Sequence, residues 1–450
     1  MRIQTYQQAL DWFYGFVRFD ENRKHIPGGG DLARMERLLG RLGSPQRRYP
    51  SVIVAGTKGK GSTAAMLASI LRSSGYRTGF YSSPHLHTFR ERVRVGDRLI
   101  SREEVVEGAR LLETLVPDFR DVIWFELVTA LAFNWLAQQS IDVAILEVGL
   151  GGRLDATNVV TPLVAVITPI SFDHVEVLGH RLAAIAGEKA GVIKPGRPVI
   201  SSPQPPDAKA VIEAAARERE SRLVQVGRDW HFEPGRANLD KQSFRAWPDR
   251  AAGIAWAQAD YIIPLLGYHQ VSNATTALAT AAELAGLGWH LTAETAQAGL
   301  QQVRWPVRFE ILSRRPLIVA DGAHNRASAH ELVKTLEMIS PGKRVIFVFG
   351  ASEDKDIEGM FDELAARTRL LILTRSKHVR AAPPARLKQL AAQLSLPVVE
   401  TDDINFALAY ARQEASADEL ICATGSLFVA AQARAILLKE QGQTVETDED

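Results

Sequence analysis

The most chemically informative stretch is a short apolar run at residues 51–55, followed by three glycines, two lysines and several hydroxyl side chains. The run is rich in β-branched residues and predicts a buried parallel strand, and residues 64–71 predict a helix. Glycines between a strand and a helix let backbone N–H groups point at an anion, which the helix N-terminus also favours. The stretch therefore predicts a phosphate site, with Lys60 against the β- and γ-phosphates and the Ser62 or Thr63 hydroxyl near a magnesium ion.

The spacing of this loop departs from the strict P-loop pattern. That pattern separates its first glycine from a Gly-Lys pair by four residues and places a hydroxyl directly after the lysine. Val54 and Gly61 occupy those two positions here. Taken alone, the loop favours a nucleoside triphosphate, and the alternative is a glycine-rich turn that only joins a strand to a helix.

Polar side chains also come after the next predicted strands of this region. Ser83, Glu147 and His174 follow three strands, predicted at residues 77–82, 143–146 and 163–167. Because ligands of an open α/β sheet lie beyond the carboxyl ends of its strands, we expect these side chains to converge beside the phosphate site. A hydroxyl, a carboxylate and an imidazole beside phosphate oxygens predict a Mg²⁺ site, with Mn²⁺ as the alternative because of the imidazole.

Each of these side chains also has a purely structural interpretation. Glu147 can be a solvated strand end, and His174 can be a loop histidine with a backbone partner. Asp173 can orient the imidazole or only cap a turn. The metal site is favoured because polar side chains, including Lys60, occur at four successive strand ends. Lys189, taken by itself, is better explained as a solvated lysine.

The chain has 450 residues, which is more than usually fold around a single hydrophobic core. Its length therefore predicts two or three domains. Alternating strands and helices predict an α/β fold, in which a P-loop-type domain with a mostly parallel sheet precedes a smaller Rossmann-like α/β domain. We place the first domain, with its N-terminal helices, at residues 1–302 and the second at 303–450, joined at residues 303–308. The second domain is predicted to contain strands at residues 317–320, 344–349, 370–373, 397–400 and 419–423.

The first domain also contains helical patterns and less regular stretches. A glycine-rich loop is predicted at residues 26–30, and the polar stretch 229–256 predicts a small β-rich excursion. Residues 440–450 form a polar, acidic tail that is predicted to be frayed. A fifth strand is predicted at residues 198–201, and helices at residues 6–17, 32–42, 103–115, 124–138, 181–190, 269–287 and 293–302.

Charge and composition narrow the class of protein. The net charge of +1 makes nucleic acid an unfavoured partner, and the single cysteine, Cys422, lies in an apolar run and is predicted to be a buried small residue. The first residues lack the apolar core typical of a signal peptide, and no apolar run approaches the length of a membrane span. We therefore expect a cytoplasmic protein without membrane contact, and a monomer.

Several motifs occur together in one order along the chain. The run Glu-Val-Gly-Leu-Gly-Gly-Arg-Leu-Asp-Ala-Thr-Asn at residues 147–158 is long and highly specific. The other motifs are the glycine loop at 56–62, Ser-Pro-His-Leu at 83–86, Asp-His at 173–174, Gly-Glu-Lys-Ala-Gly-Val-Ile-Lys at 187–194 and Asp-Gly-Ala-His-Asn at 321–325. With these motifs, the chain from Tyr6 to about Leu437 resembles the folylpolyglutamate synthase / dihydrofolate synthase family, within the Mur ligase superfamily.

The resemblance implies an ATP-dependent amide ligase. ATP would phosphorylate a substrate carboxylate, and the amine of L-glutamate would then attack the acyl phosphate and release phosphate. The carboxylate would belong to dihydropteroate in one activity and to a folate γ-glutamyl chain in the other. The resemblance does not indicate whether both activities are present.

The resemblance also implies roles for individual residues, four of them catalytic: Lys60, His174, Lys189 and Arg308. ATP would be bound by Gly59, Lys60, Gly61, Ser62, Asn273, Arg308 and Asp321. Magnesium, as two ions, would be bound by Ser83, Glu147, His174 and Lys189, whose side chain would carry a carbamate.

The pterin side would be lined by Trp124, Phe125, Glu126, Leu154, Asp155 and Ala156. An aromatic pair with a carboxylate suits a flat heterocycle, although Trp124 and Phe125 can equally be helix core. Residues 376–381 and 424–427 would help to bind glutamate, without individual assignments.

Two positions depart from the family pattern. The usual asparagine of the glycine loop is Lys58, which would either tighten nucleotide binding or turn away to solvent, and a common proline is replaced by Arg326. Two alternatives stay open. Another Mur-type ligase would need a UDP-binding region, for which too little chain precedes Gly56, and a P-loop NTPase regulator would not need Asp321 from a second domain.

Overall fold

The computed structural model describes residues 3–17, 31–250, 256–416 and 419–448. The glycine-rich loop predicted at residues 26–30 lies outside these ranges, as does part of the stretch 229–256. The described chain forms three β-sheets with helices packed between and around them. The predicted mixed α/β fold with two mostly parallel sheets is confirmed.

The first sheet has eight strands in the order β4-β3-β2-β5-β1-β6-β7-β8. The six strands from β2 to β8 in that order run parallel, and β3 and β4 add an antiparallel edge that the sequence did not predict. The strands are β1 (Ser51–Ala55), β2 (Thr78–Tyr81), β3 (Val93–Val95), β4 (Arg98–Leu99), β5 (Val143–Glu147), β6 (Val164–Ile167), β7 (Val199–Ser201) and β8 (Leu223–Gln225).

Strand β1 lies in the middle of this sheet because its side chains are apolar on both faces. Ile53 and Ala55 pack into the core under the N-terminal helices, and Val52 and Val54 pack into a second core on the opposite face. The helices of this half of the chain are α1 (Tyr6–Gly15), α2 (Leu32–Arg41), α3 (Lys60–Ser73), α4 (Arg102–Leu115), α5 (Trp124–Gln138), α6 (Val175–Leu178), α7 (Leu182–Ala190), α8 (Pro206–Glu218), α9 (Tyr268–Gly286) and α10 (Ala293–Gln302).

Helix α3 begins four residues earlier than the prediction of residues 64–71. Gly59 is the residue before the helix and adopts a left-handed φ of 76°, which glycine accepts without strain. Lys60 and Ser62 therefore lie in the first helical turn rather than in a loop. Helix α10 packs closely on α3, since a Cβ on Gly299 would lie 2.5 Å from the Cα of Ile70.

A small antiparallel sheet follows, with the strand order β11-β10-β9. It confirms the predicted β-rich excursion, although its last strand lies beyond residue 256. The strands are β9 (Trp230–Ala237), β10 (Gln242–Pro248) and β11 (Ala259–Ile263).

The third sheet has six strands in the order β12-β13-β17-β14-β15-β16, parallel except for β12. All five strands predicted for this region are present, and their ends differ from the prediction by no more than two residues. Strand β12 was not predicted. The strands are β12 (Glu310–Arg314), β13 (Leu317–Ala320), β14 (Val345–Phe349), β15 (Thr368–Leu373), β16 (Val398–Glu400) and β17 (Leu420–Thr424). The helices are α11 (Arg326–Ile339), α12 (Ile357–Ala365), α13 (Pro384–Ala391), α14 (Ile404–Glu414) and α15 (Leu427–Glu440).

The joint between the two large sheets has a strained backbone. Val307 and Phe309 have φ values of 52° and 49°, and both are buried. A β-branched residue with positive φ is rare and persists only where surrounding contacts hold it. The Val307 N–H donates to Glu310 Oε2 at 2.9 Å, and the Gly322 N–H donates to the Val307 carbonyl at 2.9 Å.

The C-terminal tail contacts the N-terminal half of the chain through Glu446 and Asp448, so the prediction of a frayed tail is wrong for the residues that the structure describes. Asp448 Oδ1 accepts hydrogen bonds from Tyr6 Oη at 2.7 Å and from Thr88 Oγ1 at 2.6 Å. The Phe89 N–H donates to the same carboxylate at 2.9 Å, and Glu446 pairs with Arg90. These partners are distant in sequence, so no local pattern indicates them. Among the described helices, none is long and apolar enough to cross a membrane.

We expect Asp448→Ala to lower the free energy of unfolding by about 2 kcal/mol, because it leaves several buried or half-buried donors without an acceptor. Urea unfolding followed by circular dichroism measures the change. Glu440→Ala is the matched control, since it removes only an ion pair with Arg412 at the exposed end of α15. Equal unfolding midpoints for the two variants would show that the tail contact contributes no stability.

Candidate active site

The glycine loop brings three parts of the chain into close contact. A Cβ on Gly59 would lie 2.3 Å from Asn273 Oδ1, and one on Gly61 would lie 2.8 Å from the indole of Trp305. Because Gly59 has no side chain, helix α9 packs directly against the loop at this position. The joint packs against Gly61 for the same reason. The first helical bond of α3 runs from the Thr63 N–H to the Gly59 carbonyl at 2.8 Å, so the N–H groups before it have no helical acceptor and can bind an anion.

Ser83 and Glu147 are adjacent at the carboxyl ends of β2 and β5, as the sequence predicts. The Ser83 N–H donates to Glu147 Oε2 at 3.4 Å. Glu147 is only 5% exposed, and this burial raises the pKa of its carboxyl against the opposing effects of Lys60 and Arg308. Cations from the loop and from the joint thus face one carboxylate.

His174 lies nearer the surface than Glu147. Its side chain is 41% exposed, and its φ of 48° places it just before helix α6. Burial lowers the pKa of the imidazole to about 4, although Asp173 acts in the opposite direction. Lys60 influences the pKa values of both His174 and Glu147, so the two groups lie in the same region.

The described residues contain no group of three or more histidine, cysteine, aspartate or glutamate side chains close enough to hold a metal ion on their own. The predicted ligand set does not require such a group, because Ser83 contributes a hydroxyl and Mg²⁺ takes phosphate oxygens and waters as well. Glu147 is buried and accepts only one long hydrogen bond from the backbone, so its carboxylate is a suitable ligand for a cation.

Lys189 is buried, so its interpretation as a solvated lysine is wrong. The side chain is 4% exposed and Nζ donates to the Gly56 carbonyl at 2.8 Å. Burial, followed by the nearby charge of Lys60, lowers the pKa of the Lys189 amine to about 7. Helix α7 thus places a buried amine directly beneath the glycine loop.

Asp173 connects the two large sheets. Its carboxylate accepts hydrogen bonds from Lys355 Nζ at 2.8 Å and from Asn325 Nδ2 at 3.0 Å, both from the C-terminal half. The charges of His174 and Lys355, with the hydrogen bond from Lys355, keep the pKa of Asp173 below its usual range despite burial. His174 Nε2 is 3.8 Å away, so Asp173 lies beside the imidazole as one sequence interpretation proposed. Lys355 was missed, and its only sequence signal is a charged Asp-Lys-Asp triplet after β14.

Arg308 is held in the cleft by the strained joint. Its Nη1 donates to the Val307 carbonyl at 3.1 Å, and burial lowers the pKa of the guanidinium. Asp321, predicted to contact ATP, accepts hydrogen bonds from the Phe309 N–H at 2.8 Å and the Ala323 N–H at 2.9 Å, and its contact with ATP stays a prediction. Its first observed role is therefore to position the backbone that carries Arg308.

Lys58 does not turn away to solvent. Its side chain is half-buried, and burial lowers the pKa of the ammonium to about 8, against opposing effects of Asp173 and Glu331. The Lys58 N–H donates to the Pro169 carbonyl at 3.1 Å, which holds the loop against the end of β6. The additional cation therefore faces the cleft between the two sheets.

An aromatic surface lies near the start of α5. The rings of Tyr14 and Trp124 are stacked at 6.2 Å with an interplanar angle of 12°, and the guanidinium of Arg92 lies 4.6 Å from the Trp124 centroid. Arg92 is buried and its Nε donates to His85 Nδ1 at 2.9 Å. Phe125 packs against Gly149, where a Cβ would lie 2.5 Å from the ring. The sequence did not indicate Tyr14 or Arg92.

Two carboxylates predicted to contact a pterin have internal partners. Glu126 is fully buried and receives two 2.8 Å hydrogen bonds from Arg34, together with the Ile123 N–H at 3.2 Å. Asp155 accepts the N–H groups of Gly149 and two further residues of its own loop, together with the Thr157 hydroxyl at 2.6 Å. Leu154 is half-buried and Ala156 is buried in the same loop.

The segments expected to bind glutamate lie beside each other in the C-terminal half. His378 stacks on Phe428 at 4.3 Å, and Ser426 accepts the Val429 N–H at 3.0 Å as the cap of α15. Ser376 is buried and accepts the His378 N–H at 3.4 Å. Cys422 is fully buried in β17, as predicted.

Comparison with known proteins gives the class of this chain. The Mur ligase middle domain matches residues 54–281, and the glutamate ligase domain of the Mur ligases matches residues 307–427. These two matches and the two-sheet cleft define the chain as a Mur ligase, an ATP-dependent ligase.

More similar relatives narrow the class. The folylpolyglutamate synthase of Lacticaseibacillus casei is 34% identical over 443 residues, which cover 96% of this chain and 99% of the relative. The dihydrofolate synthase/folylpolyglutamate synthase of Escherichia coli is 34% identical over 364 residues, which cover 80% of this chain and 81% of the relative. The chain therefore belongs to the folylpolyglutamate synthase / dihydrofolate synthase family.

Solved structures agree with this assignment. Mycobacterium tuberculosis folylpolyglutamate synthase complexed with ADP has a TM-score of 0.86 at 31% identity, over 95% of this chain and 99% of that chain. Escherichia coli FolC in complex with DHPP and ADP has a TM-score of 0.85 at 29% identity, over 98% of this chain and 99% of that chain.

The internal pairing of Glu126 predicts a stability defect in its variants. We expect Glu126→Gln to lower the free energy of unfolding by about 3 kcal/mol, because Arg34 then stays buried without its counter-charge. Chemical unfolding measures the loss, and Glu104→Gln, which removes a half-exposed ion pair with Arg98, is the control. Unchanged stability combined with a raised KM for the pteroyl substrate would instead support direct substrate contact.

Proposed function

We propose that this chain joins L-glutamate to the carboxylate of a pteroyl substrate, using ATP and an acyl-phosphate intermediate. The observation that supports this most is the position of Glu147, a buried carboxylate that feels the charges of Lys60 from the loop and Arg308 from the joint. Cations from both halves of the chain around one carboxylate suit a phosphoryl-transfer site that closes between two domains. The proposed boundary between the two domains lies between residues 302 and 303.

In this proposal the triphosphate binds at Gly59, Lys60, Gly61 and Ser62, at the N-terminus of α3. Asn273 contacts the nucleotide from α9, Arg308 reaches it from the joint, and Asp321 both positions Arg308 and contacts the nucleotide. The relatives solved with ADP and AMPPCP support nucleotide binding in this family. Lys58 faces the same cleft and adds a positive charge to it.

Ser83, Glu147 and His174 are the proposed ligands of a magnesium ion. The adjacency of Ser83 and Glu147, and the burial of Glu147 with one long contact, fit such a cation. The ion would neutralise phosphate charge while the γ-phosphoryl group moves to the substrate carboxylate.

Lys189 is proposed to carry a carbamate that binds a second magnesium ion. A buried amine beside the Gly56 carbonyl can add carbon dioxide and lose a proton, which converts a repelling cation into a carboxylate-like ligand. The burial of Lys189 under the phosphate loop supports this role, since an ammonium there has no carboxylate partner within 4.0 Å among the described residues.

The reaction has two chemical steps in this scheme. An oxygen of the substrate carboxylate attacks the γ-phosphorus of ATP, and ADP leaves. The glutamate amine then attacks the acyl carbon, loses a proton and expels phosphate. Trp124, Phe125 and Leu154 would bind the pterin with Ala156, and residues 376–381 and 424–427 would bind glutamate from the other side. Direct pterin contacts of Glu126 and Asp155 remain predictions, as do the monomeric state and the cytoplasmic location.

We expect the purified protein to convert ATP to ADP only when a pteroyl carboxylate and L-glutamate are both present. Omitting either substrate should remove the signal in a coupled ADP assay, because the acyl phosphate forms on one substrate and is consumed by the other. Basal hydrolysis that neither substrate changes would support an NTPase regulator instead. Comparing dihydropteroate with tetrahydrofolate as acceptor distinguishes the two family activities.

Lys189→Ala is expected to lower kcat by about a hundredfold or more, because a ligand that acts on the transferring phosphoryl group is lost. Acetate or propionate should restore part of the activity by occupying the space of the missing carbamate. Lys189→Met, which fills that space, is the matched control and should not be rescued. Ordinary activity in the alanine variant would exclude the carbamate.

A further inference from the structure

A cavity lies away from the nucleotide loop, between α3 and the β2–β3 edge of the first sheet. Its volume is about 540 Å³, which is within the range of small-molecule sites. It is bordered by the later turns of α3 at Ala68 and Arg72, by Thr78 and Phe80 of β2, and by Arg94 of β3. Residues 301–304, which lead into the joint, close the remaining side.

This cavity is separate from the aromatic surface proposed for the pterin. Tyr81, whose ring is 6.2 Å from that of Phe125, points to the opposite face of the sheet from Phe80. Phe80 packs in the core shared with α3 and α9, and Tyr81 packs in the core under the N-terminal helices. A ligand in the cavity therefore cannot contact the pterin surface directly.

Arg94 supplies the chemistry of the cavity. Its guanidinium lies 4.4 Å from the Phe80 centroid and 5.6 Å from the Trp305 centroid. It makes no hydrogen bond or ion pair with any residue that the structure describes, and burial lowers its pKa. An arginine held between two rings, with all its N–H donors unused, is positioned for a planar or tetrahedral anion.

The other charged residues around the cavity leave it positive. Arg72 pairs with Asp97, which is the only acidic residue in the lining. Arg304 lies at the exposed rim and makes no ion pair in the described part of the chain. The glutamines at 301 and 302 add amide groups, whereas the Ser69 and Thr78 hydroxyls already donate to backbone carbonyls. Arginine in excess over acid, together with the amide groups, matches a small anion rather than an apolar ligand.

We propose that this cavity is a binding site for a small metabolite carrying a phosphate or a pair of carboxylates, separate from the catalytic cleft. Arg94 is its central ligand, and Arg72 and Arg304 complete it. Its occupant would lie against the Arg94–Trp305 contact. Trp305 also packs on Gly61 in the first turn of α3, so the site is placed to influence the nucleotide loop through the joint.

Isothermal titration calorimetry on the full chain tests the proposal, with saturating AMPPCP and Mg²⁺ present so that the catalytic site is occupied, including the position of the γ-phosphate. Inorganic phosphate and succinate are the two probes, and they distinguish a phosphate from a dicarboxylate ligand. We expect one of them to bind, and Arg94→Gln to weaken that binding by about tenfold or more, which is the effect of losing a charge-assisted hydrogen bond.

Two further variants keep the result interpretable. Ala68→Met retains Arg94 but fills the cavity, and it should also abolish binding. Arg98→Gln removes a nearby guanidinium that lies over Trp135 outside the cavity, and it should leave binding within about twofold of the wild type. Absence of binding for both probes, or binding that Arg94→Gln and Ala68→Met leave unchanged, would overturn the proposal.

Discussion

Burial of positive charge beneath the glycine loop is the constraint on which the rest of the site depends. Lys189 contacts the Gly56 carbonyl instead of an acidic side chain, and Lys60 lies close enough to lower its pKa further. Such charges are costly in a low-dielectric interior unless an anion approaches them. In the proposed scheme a triphosphate supplies that anion for Lys60, and a carbamate removes the positive charge of Lys189, so the charges that destabilise the empty cleft are neutralised when the nucleotide and its metal ions are bound. Close packing at Gly59 and Gly61 keeps the cations in place.

The acidic residues of the cleft serve mainly to hold the two halves of the chain in position. Asp173 binds Lys355 and Asn325 across the cleft, and Asp321 binds the backbone of the strained joint. Glu147 differs from them because its one backbone contact is long and its pKa is raised by burial. The carboxylate of Glu147 is therefore available to a cation, whereas those of Asp173 and Asp321 already accept hydrogen bonds from the protein.

Most of the fold followed from local sequence patterns, whereas the hydrogen-bond partners of the carboxylates did not. Apolar strand runs and helical periodicity are local properties, so strands such as Leu317–Ala320 could be placed from sequence. The internal partners of Glu126 and Asp155 could not be predicted, because a sequence shows a carboxylate without the donors that surround it, and their pterin contacts stay predictions. Lys189 looked solvated because burial depends on helix packing. The tail was predicted to fray since its partners lie more than 340 residues away in sequence.

The docked tail has a mechanical consequence for the cleft. The C-terminal half is attached to the rest of the chain by the joint after α10 and also by residues 446–448, which bind Tyr6, Thr88 and Arg90. A rigid body held at two separate points retains rotation about only the line between them. While the tail stays bound, we expect any opening of the cleft to follow this one axis, and twisting or sliding of one half past the other to require detachment of the tail.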